Sequence, residues 1–98
     1  MNSKVYFTRE ITPEKVVELY HALGVQLPGK VAVKVHSGEK GNQNFLRPEF
    51  WRPMVEEVHG TVVECNTAYG DATAGVRDHT EAHRKLLEEH GWTKYFDV

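Results

Sequence analysis

The feature that most limits the possible folds is a repeated order of strand-type and helix-type segments. Residues 31–35 form a β-branched run, and a polar loop that contains Gly38 and Gly41 leads from this run to a helix beginning near Pro48. Residues 61–65 repeat the strand pattern after that helix, and a polar segment and a further helix follow. Alternating strands and helices predict βαβ units and a parallel sheet. We therefore predict an α/β fold, a parallel-sheet three-layer domain with the order βαβαβα and a further strand at its end.

Capping residues and apolar spacing predict the remaining elements. Residues 4–8 predict a first strand, and residues 12–23 a first helix with Thr12 as N-cap, Pro13 at its start and Gly24 as C-cap. The apolar residues of that helix are expected to face inward: Val16, Val17, Leu19, Tyr20 and Leu23. A third helix is predicted over residues 78–90, ended by Gly91, and a fourth strand begins at residues 95–98.

The apolar fourth strand bears on the domain organisation. A parallel strand of this kind normally lies between two neighbours, and the sequence stops at residue 98. We therefore expect residues 1–98 to be a single α/β domain that forms the N-terminal part of a longer protein.

Composition excludes several classes of protein. The 12 basic residues are scattered and outnumbered by 14 acidic ones, which argues against nucleic-acid binding. No apolar run approaches the roughly 20 residues of a membrane span, and the N-terminus lacks a signal-peptide core, so we expect a cytoplasmic protein that binds no membrane. The single cysteine excludes an internal disulfide and cannot hold an iron–sulfur cluster, which takes about four thiolates.

Two polar loops follow the predicted parallel strands. Because the carboxyl ends of such strands meet at one edge of the sheet, we expect the loops to face each other across a ligand site. Their composition suits a polar small molecule or an anion held by backbone amides, and it matches neither a Walker loop nor the dinucleotide fingerprint. The candidate ligand-binding residues are His36, Ser37, Gly38, Glu39, Asn42, Asn44, Asn66 and Thr67.

The third helix contains a histidine pair that raises the possibility of a metal site. His79 and His83 have the i, i+4 spacing of two metal ligands, and Cys65, Glu39 or Glu64 could complete the set. The alternative is that these histidines lie at the edge of the core and bond backbone carbonyls. Cys65 itself is either a nucleophile, with a histidine as its base, or a small buried hydrophobe.

Several motifs carry a resemblance to a known family. They are the segments at residues 5–7, 34–39, 41–50 and 63–70, and His83 followed by residues 89–91. In these motifs the chain resembles the N-terminal part of the bacterial and archaeal family designated domain of unknown function 362, which comprises uncharacterised iron–sulfur centre proteins. The resemblance implies 4Fe–4S clusters in ferredoxin-like segments further along a full-length protein, and none in residues 1–98. The implied partners are the remainder of the protein's own longer chain and an electron-transfer protein.

Three hypotheses about function follow, and whether the chain is an enzyme stays open among them. We favour the N-terminal α/β domain of an iron–sulfur redox protein, with a polar ligand or metal crevice at the strand ends. The second hypothesis is a non-catalytic interaction module that forms a homo-oligomer through an exposed sheet edge. The third is a small metal-dependent enzyme that uses His36, Glu39, Cys65, His79 and His83.

Overall fold

The computed structural model describes residues 2–68, 70–71 and 75–98, and of residues 70–71 and 75–76 it describes the backbone alone. The elements in chain order are helix α1 (Pro13–Leu23), strand β1 (Ala32–Lys34), helix α2 (Pro48–Glu57), strand β2 (Thr61–Val63), the short strands β3 (Gly70–Asp71) and β4 (Gly75–Val76), helix α3 (Thr80–Glu89) and a 3-10 turn (Trp92–Lys94). Helices and a parallel strand pair in this order confirm the predicted α/β class. No helix in the described part of the chain is both long and apolar enough to cross a membrane.

Strands β1 and β2 form the parallel sheet, with helix α2 between them in the chain. Val33 lies opposite Val62 in the ladder, and hydrogen bonds at both ends extend the pairing from Val31 to Val35. Val35 is buried while Lys34 is exposed, as the predicted alternation of the strand requires. The parallel pairing predicted from the sequence is therefore confirmed.

The core lies where this sheet meets α2, α3 and the 3-10 turn. It is built by Val35, Val55, Val62, Leu87 and Trp92. Trp92 is fully buried, and its indole N–H donates to the carbonyl oxygen of Ser37 at 3.1 Å. The core thereby holds the loop that follows β1 against the end of the chain.

Two predicted strands are wrong. Residues 4–8 form no strand: Val5 and Phe7 are 88% and 80% exposed, and the hydroxyl of Thr8 bonds the backbone of Glu10 in a local turn. At the other end, the backbone N–H groups of Tyr95 and Phe96 both donate to Trp92, which leaves the chain in a turn. Strand-type composition produces a strand only where a second strand lies alongside it, and neither segment has one among the described residues.

Helix α1 has the predicted ends but not the predicted burial. The hydroxyl of Thr12 accepts from the backbone N–H of Lys15, and Gly24 ends the helix in the left-handed conformation. No residue of α1 is buried, however, and Leu23 is 57% exposed. The helix packs on α2 and not on the sheet, so its apolar stripe is only partly covered.

The segment before α3 differs from the prediction. Helix α3 begins at Thr80, two residues later than predicted, with His79 as N-cap. The stretch expected to be only turns contains the antiparallel pair β3–β4, in which Gly70 lies opposite Val76. The predicted turn also includes residues 69 and 72–74, which lie outside the described residues.

Two glycines in the loop after β1 give a test of this packing. Both have positive φ, 91° at Gly38 and 77° at Gly41. A Cβ on Gly38 would lie 2.6 Å from the Phe45 ring and 3.0 Å from His90 Nδ1, whereas a Cβ on Gly41 meets no atom within 4 Å. We expect Gly41→Ala to cost about 1 kcal/mol of unfolding free energy, for backbone strain alone, and Gly38→Ala about 3 kcal/mol. Urea denaturation of both variants measures the difference, and equal losses would contradict the packing described here.

Candidate functional site

The candidate site lies at the carboxyl end of the parallel sheet, where the residues that follow β1 and β2 meet. Glu64, the first residue after β2, accepts two hydrogen bonds from Ser37, one from the backbone N–H at 2.9 Å and one from the hydroxyl at 2.8 Å. Ser37 is fully buried, and the Glu64 side chain is 4% exposed. A carboxylate therefore sits inside the protein at the point where the two loops join.

Two basic residues accompany this buried carboxylate. The ammonium group of Lys34 donates to Glu64 Oε1, and the guanidinium of Arg77 lies 3.8 Å from Oε2. Burial alone would raise the pKa of Glu64, but the hydrogen bonds from Lys34, from the backbone N–H groups of Ser37 and Cys65 and from the Ser37 hydroxyl outweigh it and lower that pKa to about 2. Glu64 is therefore ionised at neutral pH.

His83 connects Ser37 to the second loop. Its Nε2 lies 3.1 Å from the Ser37 hydroxyl oxygen, and its Nδ1 lies 3.1 Å from Oδ1 of Asn66. The ring is 3% exposed, and burial lowers the pKa of His83; the nearby Glu64 carboxylate opposes this effect and Arg77 adds to it. Burial therefore favours the uncharged form of this ring.

The donors and acceptors determine which nitrogen of His83 carries the proton. Ionised Glu64 only accepts, so the single Ser37 proton goes to Glu64, and His83 Nε2–H donates to the Ser37 oxygen. Nδ1 faces Oδ1 of Asn66, and the amide nitrogen of Asn66 donates to the Thr80 hydroxyl 2.8 Å away.

Arg77 binds the first loop at two further points. Its Nε donates to Glu39 Oε1 at 2.6 Å, and its Nη1 lies 3.2 Å from His36 Nδ1. A guanidinium has no acceptor, so His36 Nδ1 must accept and its Nε2 carries the proton when the ring is neutral. The exposed His36 ring is thus held with an N–H donor available to a ligand. The other oxygen of Glu39 is buried and has no hydrogen-bond partner among the described residues.

We call these connected side chains the edge network: Lys34, His36, Ser37, Glu39, Glu64, Asn66, Arg77 and His83. It brings together four of the predicted ligand-binding residues, one histidine of the predicted metal pair, and the two carboxylates, Glu39 and Glu64, that were candidates to complete that metal site. Asn42 and Asn44 lie apart in the first loop, where the backbone N–H of Asn44 donates to the Asn42 side chain at 2.8 Å. Gly38 is buried against Phe45, and the backbone N–H of Thr67 donates to the Arg77 carbonyl at 2.8 Å.

The residues predicted as metal ligands differ in solvent exposure and do not converge on one point. The side chain of His79 is 82% exposed at the start of α3, Cys65 is exposed, and both ring nitrogens of His83 contact protein groups. Within the described ranges no group of three His, Cys, Asp or Glu side chains is arranged to hold a metal ion. A 4Fe–4S cluster does not fit this chain either, because a cluster takes about four thiolates and the chain has one cysteine.

A cavity of about 230 Å³ opens beside the edge network. One wall is β2 together with Glu64 and Asn66, and the other is a stripe of α3 that includes Thr80, His83 and Arg84. The cavity is the space between the outer edge of the sheet and α3. Residues of the second loop and of α3 therefore face a volume that a small ligand could occupy.

The sequence analysis overlooked Arg77, which joins the two loops and is nine-tenths buried. It lies in a charged, turn-rich stretch and has no sequence signal of its own. Lys34 did carry a signal, because a lysine within a β-branched strand suggests a carboxylate on the neighbouring strand, and Glu64 is that partner.

Comparison with known proteins identifies the family. The family model described as "Domain of unknown function (DUF362)" matches residues 31–98, well over half of the chain. The chain belongs to the DUF362 family. The matched region begins just before β1 and contains the whole edge network, whereas α1 and the motif at residues 5–7 lie outside it. No curated protein and no solved structure matches the chain.

Removal of the central charge tests the edge network. We expect Glu64→Gln, which keeps the side-chain shape, to lower the free energy of unfolding by about 3 kcal/mol, because it leaves Lys34 and Arg77 without their buried counter-charge. The matched control is Glu56→Gln, in which an exposed pair with Arg52 is lost at a cost of about 0.5 kcal/mol or less. Denaturant unfolding compares the two variants, and similar small losses would show that the network contributes little to stability.

Proposed function

We propose that this DUF362 domain binds a small polar molecule at the carboxyl edge of its parallel sheet and serves as the N-terminal α/β domain of an iron–sulfur redox protein. The observation that carries the binding role is the edge network, which holds the exposed His36 ring against Arg77 and holds Asn66 in the wall of an open cavity. Ligands of open α/β sheets characteristically bind outside the carboxyl ends of the strands.

The energetic cost of the edge network supports this role. Two carboxylates and one cation lie mostly buried there, with side-chain exposures of 4% for Glu64, 11% for Arg77 and 21% for Glu39, and the partly exposed Lys34 reaches Glu64 from the strand. Replacement of such groups by apolar residues is often neutral or stabilising, so the fold alone does not require them. Buried charge of this kind is concentrated at functional sites, where it fixes side chains in the positions that a ligand needs.

The redox part of the proposal rests on the family and on the cysteine content. The family motifs resemble those of iron–sulfur centre proteins, and residues 1–98 supply only one thiolate. The clusters would therefore be held by further segments of a full-length protein, and the α/β domain would supply the ligand crevice beside them. An electron-transfer protein is the proposed partner of this full-length protein.

Metal and sulfide analysis tests the redox part. We expect the anaerobically purified product of the complete natural reading frame to contain iron and acid-labile sulfide in equal amounts, with visible absorption from the clusters. The same analysis of residues 1–98 is the control and should give neither. A full-length product without iron and sulfide would overturn the redox assignment and leave the ligand role to be judged separately.

An NMR titration tests the ligand role. We expect at least one of four probes, which are acetate, phosphate, ribose and glycerol, to cause saturable shifts in the amide signals of residues 36–39 and 64–67. Asn66→Ala should weaken that binding about tenfold, because it removes a group that contacts both His83 and Thr80. Asn2→Ala, in the exposed N-terminal segment, is the matched control and should bind normally. Saturable shifts confined to other regions, or none with any probe, would contradict the proposal.

A further inference from the structure

The cavity between β2 and α3 has features that indicate the class of its ligand. Thr80, His83, Arg84 and Leu87 line it at positions i, i+3, i+4 and i+7, so a single face of α3 forms one wall. The opposite wall is the outer edge of β2, because the inner edge is already paired: the backbone N–H of Thr61 donates to the Val31 carbonyl at 2.8 Å. The cavity therefore lies between a helix face and the edge of β2 that pairs with no other strand in the described part of the chain.

The charges that line this cavity are not equally available. Glu64 is paired with Lys34 and Arg77 inside the edge network, and both ring nitrogens of His83 contact protein groups. The exposed guanidinium of Arg84, by contrast, makes no ion pair with any described residue. The charge left for a ligand in the cavity is therefore positive, which favours an anion.

The remaining lining has a polar part and an apolar part. Asn66 and Thr80 line the cavity together with Arg84, and the Asn66 amide nitrogen donates one of its two hydrogens to the Thr80 hydroxyl, which leaves the other available. Leu87 and Val98 contribute apolar surface. This lining suits an occupant that combines an anionic group with a hydrocarbon chain.

The size of the cavity limits the occupant further. Its volume of about 230 Å³ lies below the roughly 300–1,000 Å³ of pockets that hold drug-sized ligands. A nucleotide is too large for this space. The guanidinium of Arg84 presents two parallel N–H donors that match two oxygens of a carboxylate or of a phosphate, and the single charge of a carboxylate is the one that a lone arginine balances.

We propose that this cavity binds a short-chain carboxylic acid as its carboxylate, with Arg84 and Asn66 on the anionic group and Leu87 and Val98 on the hydrocarbon chain. The proposal rests on the ligand-binding role proposed above and names the ligand class for the part of that site that the cavity forms, beside Glu64 and Asn66. Arg84 anchors the ligand, and the edge network acts indirectly by holding Asn66 in place.

Titration with butyrate tests this assignment by NMR. We expect saturable shifts in the amide signals of residues 61–66 and 80–87, and binding at least about tenfold weaker in Arg84→Gln. Lys85→Gln is the matched control, since its exposed partner is Glu81 and it does not line the cavity. Butanol, which has the same chain length without the charge, should bind at least about tenfold more weakly than butyrate.

Two outcomes would overturn the inference. Butyrate that gives no saturable shifts, or that binds Arg84→Gln as tightly as the unchanged protein, excludes a carboxylate anchored by Arg84. If phosphate or ribose still binds at residues 36–39 and 64–67, the ligand role stands and only the carboxylate class fails. If no probe binds at all, the ligand role itself fails.

Discussion

The arrangement of the two loops depends on one interaction. The Glu64 carboxylate accepts hydrogen bonds from the backbone N–H and from the hydroxyl of Ser37. Glu64 is the first residue of the second loop and Ser37 lies in the first loop, so this contact joins the two loops at the edge of the sheet. A buried carboxylate is tolerated only when its lone pairs are occupied, and this requirement draws Lys34 and Arg77 to the same point. Through Arg77 the contact extends to Glu39 and the segment before α3.

Much of the architecture could be predicted because its causes are local. The β-branched run that contains Val33 and Val35, and the caps Thr12 and Gly24, specify their elements through side-chain alternation, hydrogen bonding and backbone conformation. The prediction of a strand around Val5 was wrong because a segment becomes a strand only when another strand pairs with it. The sequence of the segment itself does not show whether such a partner exists.

The candidate site was predictable to a similar degree. The rule for parallel sheets directed attention to Ser37 and Asn66, and the structure links both to His83. The helical spacing singled out His83 correctly as a polar residue on an apolar face, but the spacing could not show that both nitrogens are occupied by protein groups. Arg77 was unpredictable because its role arises from contacts with residues distant in sequence, such as Glu39.

The hydrogen bonds to the Ser37 carbonyl affect the order in which parts of the protein can fold. This carbonyl accepts hydrogen bonds from His90 and from Trp92, which lie 53 and 55 positions further along the chain. The loop after β1 therefore cannot reach its final form during synthesis until nearly all of residues 1–98 have left the ribosome, however early β1 itself is made. Contacts of such long sequence separation also slow folding, because a long loop must close before they can form.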